Sequence, residues 1–77
     1  MTVADLKEAI ASGYLIRHIN FLDVCFIPTL IVETTEADLQ VKGFWFNVSY
    51  GKLVTDSADY ITIRKDLLEN WRVLQRR

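Results

Sequence analysis

The fold of this chain depends on one aromatic stretch, which runs Val41-Lys42-Gly43-Phe44-Trp45-Phe46-Asn47-Val48-Ser49-Tyr50-Gly51-Lys52-Leu53-Val54. It contains four of the nine aromatic residues and two of the three glycines. Aromatic and β-branched side chains favour a pleated, half-buried surface, so we predict a central strand here. Side chains alternate between the two faces of a strand, which separates Trp45 from Phe44 and Phe46. We expect Phe44 and Phe46 to face the core and Trp45 to be exposed.

The length and composition of the chain predict one small domain with little apolar burial to spare. Its 77 residues form a single domain over 1–77, because domains typically contain about 50 to 250 residues. A chain this short buries only about 60% of the surface that its unfolded form exposes. Hydrophobic residues make up 51% of the sequence. We therefore expect some apolar surface to remain for a second copy or another protein.

The segment before the aromatic stretch predicts a helix and then two strands. Thr2 is a good N-cap, Asp5 completes a capping-box arrangement, and Gly13 suits the left-handed position that ends a helix. Residues 14–19 and 24–33 are apolar and rich in β-branched side chains, as strands are. Pro28 lacks an amide proton, so it indicates either an edge strand or a bulge.

The segment after the aromatic stretch is open to two interpretations. Residues 60–63 alternate as a short strand, but Ile63, Leu67, Trp71 and Leu74 also share one helical stripe. We prefer a strand followed by a helix over about 65–75, because the density of β-branched residues falls at Arg64. The predicted fold class is α+β: an N-terminal helix, a three- to four-stranded, mostly antiparallel sheet, and a C-terminal helix.

Charge is distributed unevenly along the chain. The formal net charge is −1, which predicts no general attraction to nucleic acid or to a membrane. Residues 64–77 nevertheless carry a balance of +3, including Arg72, Arg76 and Arg77. These cations would suit the negative end of a C-terminal helix, and a phosphate-binding patch is the alternative.

No catalytic or metal-binding pattern is visible in the sequence. One cysteine, Cys25, allows no internal disulfide, and its apolar neighbours suggest a buried thiol in a cytoplasmic protein. A zinc site needs three or four ligands, whereas the chain has one histidine, His18, and one cysteine. We expect no enzyme activity, no cofactor, no metal and no membrane segment.

Five residues at the start of the aromatic stretch resemble a known motif. Lys42, Gly43, Phe44, Trp45 and Phe46 resemble the opening of the RNP1 signature of the RNA-recognition motif. The sequence departs from that family at Trp45, and its predicted element order, helix before strands, also differs. Cold-shock domains contain a similar lysine, glycine and phenylalanine run. The resemblance implies stacking of nucleic-acid bases on the aromatic side chains.

Two functions therefore follow from the sequence as hypotheses. The first is a small protein-binding module of the accessory or inhibitor type, a homodimer or a protein that docks on a larger partner. Its expected contact residues are Trp45, Tyr50, Arg72 and Arg76, since aromatic and arginine side chains dominate interface energies. The alternative is a single-stranded RNA- or DNA-binding domain. Its expected contacts are Lys42, Phe44, Phe46 and Arg77, with Trp45, Tyr50, Arg72 and Arg76 in support.

Overall fold

The order of the elements is helix, five strands, a 3-10 helix and a last strand. The structure is a computed structural model that describes residues 1–74. The elements are α1 (Val3–Ser12), β1 (Leu15–His18), β2 (Val24–Thr34), β3 (Asp38–Asn47), β4 (Lys52–Leu53), β5 (Asp59–Arg64), a 3-10 helix (Lys65–Asn70) and β6 (Trp71–Leu74). No helix in this described part of the chain has the length and apolar character needed to cross a membrane.

The N-terminal helix α1 begins and ends as the sequence predicts. The hydroxyl of Thr2 accepts from the amide of Asp5 at 3.1 Å, and the Asp5 carboxylate accepts from the amide of Thr2 at 2.9 Å. Gly13 follows the helix with φ of 71° in the left-handed region. Leu6 and Ala9 are fully buried against the sheet. The helix prediction is therefore confirmed.

All strand pairs in the six-stranded sheet are antiparallel, and β3 is central. The order is β4-β3-β2-β1-β6, and β5 also pairs with β3, on the Asp38–Gly43 half of that strand. The prediction of a central aromatic strand is confirmed. The prediction of three or four strands is wrong, because the sheet has six: the two-residue β4 pairs with β3, and β6 pairs with β1 where a helix was expected.

The predicted C-terminal helix is also wrong. Residues 65–70 form a 3-10 helix, and Trp71–Leu74 then pairs along the whole of β1. This pairing satisfies the backbone of β1 and buries Trp71, whose ring lies edge-on to His18 at 5.2 Å between centroids. The helical stripe fails at Leu67, which is 40% exposed, because Leu68 is the side chain that turns inward.

The core lies on the face of the sheet that α1 covers, which we call the core face. Leu39, Val41 and Gly43 are buried in alternation along β3, and Trp45 continues that series as a half-buried residue packed on the core. The expected orientation of the aromatic side chains is therefore reversed. Phe44 and Phe46 lie on the opposite face of the sheet, which we call the outer face. The helix packs on one side only, and local alternation alone does not say which side.

Pro28 marks a bulge inside the sheet. The strand β2 lies between β1 and β3, so the expectation of a sheet edge at Pro28 is wrong and the alternative, a bulge, is what forms. The register shifts between Pro28 and Leu30. The proline is tolerated because β1 pairs with β2 at Ile16 and Phe26, two residues before Pro28.

Candidate binding surfaces

An apolar groove opens at one end of the molecule. It has a volume of about 320 Å³ and is lined by Phe21, Val24, Trp45 and Val54. The groove brings together the loop between β1 and β2, the start of β2, the end of β3 and the segment after β4. These four side chains come from three separate parts of the sequence, residues 21–24, 45 and 54, so only the folded sheet assembles them.

The loops around this groove are tied to one another by backbone and side-chain hydrogen bonds. The Asp23 carbonyl accepts from the Val48 amide at 2.8 Å, and its carboxylate accepts from the Ser49 hydroxyl at 3.1 Å. The amide of Val54 donates to the carbonyl of Trp45 at 2.9 Å. These hydrogen bonds constrain the loops that form the groove.

Trp45 forms the floor of the groove. Its ring packs edge-on against Phe26 at 5.0 Å and against Phe21 at 6.0 Å between centroids. Its indole N–H donates to the Asp59 carboxylate at 3.0 Å. Trp45 is consequently a half-buried structural residue whose remaining exposed ring surface is apolar.

The loops that supply the groove carry exposed apolar side chains. Leu22, next to Phe21 in the loop between β1 and β2, is 81% exposed, and Val48, just after β3, and Val54 are 51% and 52% exposed. Tyr50, 76% exposed, occupies the turn that follows β3 at the same end. We call this set the end surface: Phe21, Leu22, Val24, Trp45, Val48, Tyr50 and Val54.

The outer face of the sheet has a different chemistry. One cross-strand row begins with Arg72 directly opposite Arg17 and continues on β2 and β3 with Cys25 opposite Phe46. A neighbouring row places Ile27 opposite Phe44. The outer face therefore combines two arginines with two partly exposed phenylalanines.

A third row adds a lysine and a tyrosine to the outer face. Lys42 lies between Leu30 on β2 and Tyr60 on β5. The Lys42 ammonium lies 5.9 Å from the centroid of the Tyr60 ring. Tyr60 is 54% exposed, so this cation and ring are open to a ligand.

Arg17 is in an unusual position on the outer face. Its Nε is buried and has no hydrogen-bond partner within residues 1–74. It faces Arg72, and like charges directly opposite each other are destabilising in a sheet. Burial raises the pKa of the nearby Cys25 thiol, and the positive charge of Arg17 partly opposes that effect.

The structure separates the two sets of residues expected from the sequence. Of the expected protein-binding residues, Trp45 and Tyr50 lie at the end surface, whereas Arg72 lies on the outer face of β6. Of the expected nucleic-acid contacts, Lys42, Phe44 and Phe46 come together on the outer face. Arg76 and Arg77 lie outside the described residues.

Several members of these surfaces were missed by the sequence reasoning. Arg17 alternates with the apolar Ile16 and could have been assigned to the opposite face of its strand. The position of Arg72 opposite Arg17 could not have been predicted in this way, because it depends on the pairing of β1 with β6. Phe21 lies in a loop with no regular pattern, and Val54 ends the aromatic stretch, but no sequence signal indicated that the two side chains would line one groove.

Metal binding and histidine chemistry find no support in the described residues. Residues 1–74 contain no group of three or more His, Cys, Asp or Glu side chains that could hold a metal ion. The Nδ1 of His18 accepts from the amide of Asn20 at 3.1 Å, and its ring packs on Trp71.

Comparison with protein families, with curated proteins and with solved structures finds no match for this chain.

Proposed function

We propose that the protein is a non-enzymatic, cytoplasmic protein-binding module that forms a homodimer through its end surface. The observation that carries this proposal is the exposure of apolar side chains that line one groove, Phe21 at 43% and Val54 at 52%, with Leu22 next to Phe21 in the chain at 81%. Contiguous apolar patches on small proteins are typical of interaction sites. A dimer would remove this surface from water.

The chemistry of the end surface suits a second copy of the same chain. The side chains that line its groove are uncharged, so two copies can approach without like-charge repulsion. In a two-fold dimer the same patch lies on both sides of the contact, and an apolar patch is complementary to itself. Aromatic residues such as Trp45 and Tyr50 are enriched at interfaces.

The hydrogen bond of the Trp45 indole supports a role in binding in addition to its role in packing. Its indole N–H is already satisfied by Asp59, so a partner need supply no acceptor for it. The groove floor therefore offers apolar ring surface without an unsatisfied polar group. The hydrogen bonds around Asp23 keep the groove preorganised, which lowers the entropic cost of association.

An accessory or inhibitory role on a larger partner would use the same surface.

The single cysteine of the chain, Cys25, is buried, which favours a reducing compartment over an extracellular one. We propose a binding module rather than an enzyme because the side chains that line the groove are apolar and carry no group that could transfer a proton.

Sedimentation equilibrium over a range of concentrations tests the homodimer. We expect the wild-type chain to dimerise and Leu22→Ser and Val54→Ser to weaken dimerisation at least tenfold. Leu67→Ser is the matched control, because Leu67 is an exposed leucine on the 3-10 helix, away from the groove. A wild-type monomer at every concentration would contradict the proposal. Equal weakening by the Leu67 control would also contradict it.

A further inference from the structure

We propose that the outer face of the sheet binds single-stranded nucleic acid, with phosphate groups on Arg17 and Arg72 and bases against Phe44 and Phe46. This surface is separate from the end surface that mediates the proposed dimer. The inference therefore adds a second ligand, and it stands or falls independently of the dimer.

The first step of the argument is charge. Arg17, Arg72 and Lys42 all lie on the outer face by the strand registers. Within residues 1–74 the only ion pair joins Arg64 and Asp66, so none of these three cations is paired with a carboxylate there. The whole chain has a net charge of −1, so this grouping is a local feature and not an average property.

Acidic side chains border this group of cations without neutralising it. Asp5 and Glu8 of α1 line a cleft beside β6 that Arg72 also borders. Glu33 lies opposite Gln40 in the row next to Lys42, and Asp38 lies at the far end of β3, opposite Arg64. The rows that contain Phe46, Phe44 and Lys42 carry positive charge only, which is complementary to a polyanion.

The second step is the state of Arg17. A buried guanidinium N–H without an acceptor and a like-charged residue directly opposite both cost stability. A phosphate oxygen placed between Arg17 and Arg72 would accept hydrogen bonds from the terminal N–H groups of both guanidinium groups. Arginine matches the geometry of phosphate through its planar fork of donors. An anionic ligand would thus offset the repulsion between the two like charges.

The third step is the aromatic surface beside the arginines. Phe44 and Phe46 are two residues apart on one face of β3, which separates them by roughly 7 Å. Each ring can therefore contact a different base. Tyr60, with Lys42 beside it, extends the same surface by one strand. Rows of aromatic side chains next to cations are typical of single-strand binding.

The shape of the surface favours unpaired bases over a duplex. A sheet face offers no protruding helix or ribbon to enter a major groove. Base faces are available for stacking only where the bases are unpaired. The outer face consequently suits a single strand lying across β3.

Fluorescence anisotropy with labelled oligo-dT and oligo-U tests the proposal at several salt concentrations. We expect binding that strengthens steeply as salt falls, because counterions are released from the phosphates. Arg72→Gln and Lys42→Gln should each weaken binding about tenfold and reduce the salt slope by about one. Phe44→Ala should weaken binding with little change in slope. Lys7→Gln is the control, since Lys7 is an exposed cation on α1 and should change nothing.

Further measurements separate this proposal from the alternatives. Circular dichroism spectra and thermal unfolding establish that each variant is folded. Leu22→Ser should retain binding per chain, which separates this inference from the dimer. Absence of binding at low salt would overturn the proposal. The proposal would also be overturned if duplex DNA bound as tightly as oligo-dT. The same holds if polyglutamate displaced the oligonucleotide at an equal concentration of charge.

Discussion

The ring of Phe26 passes directly under Gly43, where any other residue would place its Cβ. A Cβ built on Gly43 would lie 2.7 Å from Cε2 of Phe26 and would also overlap the carbonyl oxygen of Ile27. The absence of a side chain at this position therefore lets β2 and β3 pair closely over Phe26, the largest fully buried side chain of the described residues.

Gly43→Ala is expected to destabilise the protein by about 3 kcal/mol, because overpacking forces the backbone of β2 to move. Gly51→Ala should cost about 1 kcal/mol, for a different reason. Gly51 has φ of 66°, but no atom lies within 4 Å of a Cβ built there. Urea unfolding of both variants measures the two effects. Equal losses would contradict the steric explanation at Gly43.

Trp45 is expected to contribute to folding as well as to the end surface. Trp45→Ala should cost about 3 kcal/mol, because it leaves a cavity against Phe26. Trp45→Phe keeps an aromatic ring and loses the hydrogen bond to Asp59, at a cost of about 1 kcal/mol. Thermal unfolding distinguishes these variants. An unchanged midpoint for Trp45→Ala would contradict the packing described here.

The thiol of Cys25 is expected to be unreactive in the folded protein. The side chain is 1% exposed, and burial raises its pKa. Alkylation by iodoacetamide should be slow in the native state and fast in denaturant.

The raised pKa of Cys25 also predicts a pH dependence of stability. The contribution of the neutral, buried thiol to the free energy of unfolding is fully present below the unfolded-state pKa of the thiol. It is lost as pH rises through the higher folded-state pKa. Urea unfolding at alkaline pH should therefore show a steeper loss for wild type than for Cys25→Ala. Identical pH profiles of the two proteins would contradict it.

The N-terminal cap is expected to stabilise α1 in a pH-dependent way. Thr2→Ala should cost about 1 kcal/mol, because the Asp5 amide loses its acceptor. The pKa of Asp5 is lowered, chiefly by the hydrogen bond from the Thr2 amide. This contribution is present above the unfolded-state pKa and is lost as pH falls through the folded-state value. Asp5→Asn should therefore flatten the acid limb of thermal stability, and an unchanged limb would rule this out.

Arg17 is expected to lower the stability of the free protein and to strengthen its binding of oligonucleotides. Arg17→Met removes a buried donor without an acceptor and a like-charge contact with Arg72. We expect the free protein to gain up to about 1 kcal/mol in unfolding free energy. Oligonucleotide binding should fall in the same variant. A loss of stability in Arg17→Met would mean that the arginine is satisfied in the free protein.

Local signals in the sequence determined the first helix and the central strand. The hydroxyl of Thr2, the carboxylate of Asp5 and the freedom of Gly13 act within a few residues of one another, so the sequence predicts α1 correctly. The aromatic and β-branched composition of β3 likewise made it a strand irrespective of its neighbours. The burial of Cys25 followed in the same way from its apolar neighbours.

Long-range pairing decided the features that the sequence left open or predicted wrongly. Residues 71–74 were predicted to be helical, but they pair with the free edge of β1 as a strand. Alternation placed Trp45 and Phe44 on opposite faces of β3, but only the position of α1 made the Trp45 face the core. Both outcomes depend on contacts between residues far apart in the chain, whose energies no local pattern contains. The sequence by itself therefore determined which segments form α1 and β3, and the tertiary structure decided which side chains were left on the surface to bind.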